Sequence, residues 1–497
     1  MGVKLSARIL IAGTATALWL HSAAATAQTN WATFGFDRQR TGYNTEEATL
    51  SPNTVPSLTL KWIFDLGSEG VTAQPVEAYG IVYTASTAGT VYALDQASGQ
   101  VIWRQQLGVT QTDCPDMPNG TFGNIATPTV DEGNFRLLIV SGDGLLHALD
   151  GAIGNEWPGY PIQVMDEYNL GQTFDYGSPI YDYINSVVDV PTAGACDNPP
   201  YRGQVVQITN DPAQPPVILN RWFTDGANGP DGGGIWGPGG ISAEPDFSAT
   251  YTATGNALTS PENYGYADQV VRLDTNLNVQ ASNGPKISDG DFDFGSTPVL
   301  YQPPGCPAQL AALNKNGQLF VYNRNAIGDG PMQVLQISSA KVSGFDSGFI
   351  GAVAYDPVFN QIYVANNLDD DAGFFYHGLI ALAPQPDCSL ALQWQQTVGG
   401  NSGPAIPPVA ANGVVYHSSG MAAVVYAFSA ATGQYLWDSS SSPIGSAILA
   451  SPMVVNGQLY IADWNGGLFC FGLSDGTASS RSIIKEPAMR AGRRGAL

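Results

Sequence analysis

The sequence predicts an all-β fold: an eight-bladed propeller of four-stranded antiparallel blades, closed by a strand from near the N-terminus. Three observations carry that expectation. A complete four-strand unit is legible between Pro75 and Trp103, and weaker copies of it recur to the end of the chain. One strand also stands alone before the first copy, while the last copy lacks its closing strand. Sheets this small cannot bury their own faces, so copies at this period must pack on one another. Composition agrees, since Gly 58, Pro 34 and only 12% charged residues suit a turn-rich β chain.

In the unit Pro75–Trp103 a proline opens the first strand. Ala-Tyr-Gly then turns into IVYTAS, Thr-Ala-Gly into TVYALD, and Ala-Ser-Gly into QVIW. Each strand is short, β-branched or aromatic, and bounded by glycine-bearing turns. Further copies begin at Pro128, Pro179, near Gly239, at Pro298, near Gly351, at Pro408 and at Pro452. That count is eight, with seven the alternative because the third copy is irregular. LTLKWIF, around Trp62, reads as an outermost strand with no blade of its own. Pairing it with GLFCFGL closes the ring and removes both free sheet edges. Tryptophans at 62, 103, 157, 222, 394 and 437 recur at the outermost strand, where they are expected to pack between neighbouring blades.

The ends read differently. Lys4 and Arg8, the short apolar run ILIAGTATALWL and Ala25-Thr26-Ala27 before Gln28 have the form of a signal peptide over 1–27. The propeller is expected over 28–475 and a disordered basic tail over 476–497. The expected protein is periplasmic or secreted, with no membrane span. The formal charge is −23, and basic residues cluster at the two ends, so the body is more acidic still. That argues against nucleic acid or an anionic membrane as partner.

Five cysteines in an exported chain invite disulfides. In a four-stranded blade, loops entering the first strand and loops joining the second to the third share one face. The other two loop classes share the opposite face. Cys114 and Cys196 fall on the first face, Cys306 and Cys388 on the second. This grouping favours Cys114–Cys196 and Cys306–Cys388, although spacing alone leaves connectivity open. Cys470, inside GLFCFGL, reads as a buried thiol. There is no CxxCH for covalent haem and no CxxC pair for zinc.

VYALDQASGQVIW and VYAFSAATGQYLW resemble the repeat of the pyrroloquinoline quinone (PQQ) propeller family, best known from quinoprotein alcohol dehydrogenases. WATFGFDRQRTGYN is similar to that family's N-terminal lead-in. GGGIWGPGGISAEPDFSATYTATGN, DFDFGSTPVLY and NKNGQLFVYNRNAIG resemble its central section. The resemblance implies a cofactor on the propeller axis, PQQ, with Ca2+ or a related ion beside it. Trp236 in GGGIWG would be the floor under the quinone and Lys315 in LNKNG the basic contact to its oxygens. Asn256 in TATGN would be an ion ligand, and Asp293 in DFDFG both an ion ligand and the catalytic base. Trp236 and Asp293 lie in loops entering blades 4 and 5, while Asn256 and Lys315 follow second strands, so all four belong to one face.

These residue types suit the chemistry. A carboxylate beside a divalent ion can take a proton from an alcohol while a quinone carbon accepts hydride. Each residue also has a plainer reading. Lys315 can flank the Asn316-Gly317 turn, Asn256 can be a turn residue, Trp236 can be core, and Asp293 can cap a loop beside Asp289 and Asp291. The run Asp369–Asp371 reads as a solvated loop. The chain also departs from the family. Its first glutamate falls near Thr72, and the adjacent-cysteine pair and the arginine after it have no match. The ion's glutamate falls near Asn198, with Asp197 one residue away and the nearest acid. Two readings therefore stand. One is an exported dehydrogenase acting on an alcohol or polyhydroxylated substrate with an external electron acceptor. The other is a cofactor-free propeller that binds protein or glycan.

Overall fold

The computed structural model describes residues 28–485, except Ser68, Asp116, 118–119, 166–172, 226–231, 259–264, 286–291, 340–349, 400–402 and 475–481. The expected signal peptide and the chain beyond 485 lie outside the described residues. Eight four-stranded antiparallel blades form the fold. Blade 1 runs through Val76–Ala78, Ile81–Ala85, Thr90–Asp95 and Val101–Gln106, each turn falling where a glycine or polar turn interrupts the β-branched run. The first strands of blades 2 to 8 are Thr129–Asp131, Ile180–Asp182, Ile241–Ala243, Val299–Tyr301, Ala354–Asp356, Val409–Ala411 and Met453–Val455. Among the described residues no helix is long and apolar enough to cross a membrane.

The ring closes as the unpaired strands require. Leu58–Asp65 lies antiparallel to Gly467–Leu473, with Trp62 opposite Cys470. The outer tryptophans pack on glycines of the next blade. Added Cβ atoms at Gly99, Gly154 and Gly433 would each come within 2.7 Å of the rings of Trp62, Trp103 and Trp394. The indole of Trp103 donates to the Gly151 carbonyl at 2.8 Å and that of Trp394 to the Ala430 carbonyl at 3.1 Å. The glycine of the Ala-x-Gly turn is thus a docking notch as well as a turn residue. Blade 4 lacks it: Leu277 takes the positive φ of 61° in the corresponding turn.

Two features differ from the sequence reading. Blade 2 was expected to end at Trp157, but its outermost strand is Ile162–Gln163, paired with Leu145 and Leu146. Trp157 instead lies under the Arg136 guanidinium, 4.9 Å from its ring centroid. Within the expected disordered tail, Ser482–Lys485 adds in parallel to Leu58–Asp65. The outer edge of the closing strand is open to pairing, and the β-branched SIIK segment suits it.

The lead-in WATFGFDRQRTGYN has a role its sequence did not reveal. Its backbone threads the axis and meets the first strands in turn. Trp31 exchanges two 2.9 Å bonds with Glu77, and Ala32 accepts from Val130. Arg38 accepts from Ala243, Gln39 from Leu300, Thr41 from Tyr355 and Gly42 from Ala410. Asn44 donates to the Val454 carbonyl at 2.8 Å, completing blade 8. Arg40, fully buried, reaches the Ser178 and Pro179 carbonyls beside blade 3 and the Ile241 carbonyl of blade 4. The innermost strands face the axis with an unpaired edge, and this segment supplies the missing partners.

Candidate functional site

The loops entering first strands and those joining second to third strands surround one cavity of about 630 Å³. Phe34 of the axial segment lies in its wall. One half of the cavity is polar and comes from blades 3 to 5: Asp197, Tyr201, Trp236, Asn256, Asp293 and Lys315. The other half is apolar and includes Ile125, Ile406, Pro407, Met421, Leu449 and Trp464.

Asp293 is the hub of the polar half. It sits just before the first strand of blade 5, in a loop that turns inward where Gly295 meets the Trp236 ring. A Cβ at Gly295 would fall 2.5 Å from that ring. One carboxylate oxygen accepts from the Trp236 indole at 3.0 Å and from the Asn256 backbone N–H at 3.3 Å. The other faces the Lys315 ammonium at 3.0 Å. Lys315 also lies over the Trp236 ring, 4.7 Å from its centroid. Its backbone N–H donates to the Asp293 carbonyl at 2.9 Å, so the two loops are locked together. Asp293 is 2% exposed, and burial raises its carboxyl above the ordinary aspartate range although Lys315 pulls it down.

Asn256 follows the second strand of blade 4, and its side-chain amide donates to Asp197 at 3.4 Å. Gly255 before it leaves room, since a Cβ there would stand 2.8 Å from the Asp293 carboxylate. Asp197 takes a left-handed φ of 52°, and its other oxygen accepts from the Tyr201 phenol at 2.6 Å. The five residues singled out from the sequence therefore surround one point. The plainer readings describe part of the same geometry: Asn314–Gly317 is a turn closed by a 3.0 Å bond, with Lys315 inside it.

Two carboxylates and one amide that can turn its oxygen inward make a hard oxygen donor set, the kind that suits Ca2+ and its relatives. Among the described residues no three His, Cys, Asp or Glu side chains gather, so a third donor at this point would be the Asn256 amide. Trp236 offers a planar ring a platform, backed by Gly295. The donor set and the aromatic floor fit an ion beside a flat cofactor.

Other residues fall as follows. Cys114–Cys196 and Cys306–Cys388 are disulfide-bonded, each across 82 residues, and Cys470 is a buried free thiol. Cys114 and Cys196 line the cavity beside Asp197. Thr72 lines it too, its hydroxyl on the Ile125 carbonyl at 3.1 Å. The run Asp369–Asp371 holds loops: Asp369 accepts from His377, Asp370 from Phe374 and Phe375, and Asp371 from Ser339. Asp289 and Asp291 lie outside the described residues. Sequence reasoning missed Tyr201, whose only signal is a position just before a third strand on the cavity face. It also missed Asp175, next to the wall residue Tyr176. Asp175 is buried with neither carboxylate oxygen hydrogen-bonded, and burial pushes its carboxyl well above the usual range.

Comparison with known proteins agrees with the fold. A PQQ-repeat family model, described as outer membrane protein assembly factor BamB, matches residues 46–157 and 389–481. A polyvinylalcohol dehydrogenase of Sphingopyxis sp. is 24% identical over 317 residues, 59% of this chain and 46% of that one. The 1-butanol dehydrogenase (cytochrome c) of Thauera butanivorans is 31% identical over 129 residues, 25% of this chain and 17% of that one. The matched parts thus span less than half the length of these relatives. The structure of quinohemoprotein alcohol dehydrogenase from Comamonas testosteroni superposes with a TM-score of 0.66 at 16% identity, over 93% of this chain and 83% of that one. Eight blades, the recurring repeat and the closing strand together make this chain an eight-bladed β-propeller, with PQQ-type repeats matched over two stretches of it.

Proposed function

We propose that this chain is an exported PQQ-dependent dehydrogenase-like protein, oxidising an alcohol or a polyhydroxylated substrate and passing electrons to an external acceptor. The observation that carries the reading is the convergence of Asp197, Trp236, Asn256, Asp293 and Lys315 in one cavity. When bound, the quinone supplies a hydride acceptor and a Ca2+ ion a Lewis acid. Asp293 would take the substrate hydroxyl proton on its carboxylate, which Trp236 and Lys315 hold in place at the cavity. Lys315, over the Trp236 ring, would supply positive charge to an electron-accepting oxygen of the quinone. Trp236 would be the platform for the ring, while Asp197, Asn256 and Asp293 would hold the ion. The disulfides fit an oxidising compartment, periplasmic or extracellular.

The test is reconstitution of the mature protein with PQQ and Ca2+, followed by absorbance titration and a dye-linked alcohol assay. Saturable binding with turnover that Asp293→Ala abolishes supports the reading, and no binding at high micromolar PQQ overturns it. A second reading, a cofactor-free propeller binding protein or glycan, draws on a specific feature. Lys315 is the only basic side chain among the described residues lining the cavity, and the apolar half offers a tricarboxylate such as PQQ no charge partner.

A further inference from the structure

Asp197 stands out among the proposed ion ligands because the chain around it is held on every side. Both Cys196 and Asp197 have left-handed backbones, with φ of 51° and 52°. A non-glycine pair in that region costs energy and persists only where its surroundings enforce it.

Three contacts do so. Cys196 is bonded to Cys114, which sits in the loop between blades 1 and 2. That loop is a small hairpin, Thr110–Gln111 against Thr121–Phe122. Its Phe122 stacks on Phe174 with ring centroids 4.0 Å apart. Thr173–Phe174 in turn pairs with Ala193 and Gly194, immediately before the strained residues. Finally, the Tyr201 phenol donates to Asp197 at 2.6 Å, leaving the other carboxylate oxygen toward Asn256. The Tyr201 ring lies where a side chain at position 194 would be, since a Cβ on Gly194 would fall 2.3 Å from it.

We propose that Tyr201 and the Cys114–Cys196 disulfide are a positioning device that presents Asp197 to a hard divalent or trivalent cation shared with Asn256 and Asp293. The cation affinity of the site therefore depends on the oxidation state of this one disulfide. The inference rests on the ion-site part of the proposed function but not on PQQ or turnover. A ligand fixed in place before the ion arrives binds more tightly than one that must be ordered by it. Cys306–Cys388 closes a loop of the same 82-residue separation on the opposite face, so it is a matched control. Removing either bond relaxes the unfolded chain to the same degree, whereas only one touches Asp197.

The experiment uses the full mature chain without quinone and terbium(III) as probe, followed by tryptophan-sensitised emission and competed with Ca2+. The unaltered protein should show a saturable signal that Asp197→Asn removes and Trp236→Phe weakens, Trp464 being the other tryptophan of the cavity wall. Tyr201→Phe, and Cys114→Ala combined with Cys196→Ala, should each weaken binding by about tenfold or more. Cys306→Ala combined with Cys388→Ala should leave affinity within about twofold while lowering the melting temperature comparably. Unchanged affinity in Tyr201→Phe and in the Cys114/Cys196 variant, with Asp197→Asn still abolishing it, overturns the positioning role and leaves the ion site standing. No saturable signal in the unaltered protein overturns both.

Discussion

The two parts of the ring matched by the repeat family, 46–157 and 389–481, differ sharply from the section between them. In the matched parts Trp62 and Trp103 dock on glycines of neighbouring blades, and the ring closes there through Leu58–Asp65 and Gly467–Leu473. The intervening section has the irregular third blade, a turn where Leu277 stands in place of glycine, and all five proposed site residues. The lesson is a division of labour. Regular blades hold the ring closed with repeated local contacts, so the middle blades can depart from the repeat and carry polar groups aimed at the axis.

If that division is real, substitutions in the two regions must fail in different ways. The largest expected effect is on chemistry. Asp293→Asn should lower turnover of the reconstituted protein by about 10³-fold, typical for loss of a positioned base, while its denaturant midpoint moves little. A large loss of stability with turnover retained would break the comparison. Next is Arg40→Ala, which removes a buried donor from the Ser178, Pro179 and Ile241 carbonyls. It should cost about 3–5 kcal/mol by urea unfolding. Gly433→Ala comes third: a φ of 70° and a Cβ 2.7 Å from the Trp394 ring should cost about 2–3 kcal/mol with the cavity intact.

The smallest effects are on pH dependence, and they oppose each other in sign. His417, in blade 7, is buried with its Nδ1 unpartnered, and burial pushes its pKa down to about 4. Its folded pKa is depressed, so the stability it allows is complete above its ordinary value near 6.5 and declines as pH falls toward 4. Asp175, entering blade 3, behaves the other way. Its folded pKa is raised by burial, so stability is complete below its ordinary value and declines as pH rises toward the elevated one. His417→Phe should flatten the acid limb of the stability profile, and Asp175→Asn should raise stability at pH 8 more than at pH 4. Denaturant midpoints across pH 4–8 check both signs.

The blades, the closing strand and the docking role of the tryptophans were legible because each rests on a short local pattern. Strand period, glycine turns and a tryptophan at a fixed offset do not depend on distant residues. Site residues were legible in part for the same reason. Loop class assigns a face, so Trp236, Asn256, Asp293 and Lys315 could be placed together without coordinates. Tyr201 and Asp175 were not, because a tyrosine before a strand or an aspartate after one carries no local mark of what it will face. The strand Ser482–Lys485 was missed because a polar, basic end masked four residues able to pair.

What the chain's own order determined, then, is the repeat, its closure and the face on which each loop emerges. All of these follow from alternation and turns within about forty residues. Tertiary structure alone decided the meeting of Lys315 with Asp293, of Tyr201 with Asp197, and of the disulfide with the cavity wall. It alone set residues 31–44 on the axis, where one short segment completes the inner edges of strands drawn from the whole chain. Most of these contacts join residues of different loops or blades, and only the packing of blades around the axis brings their partners within reach.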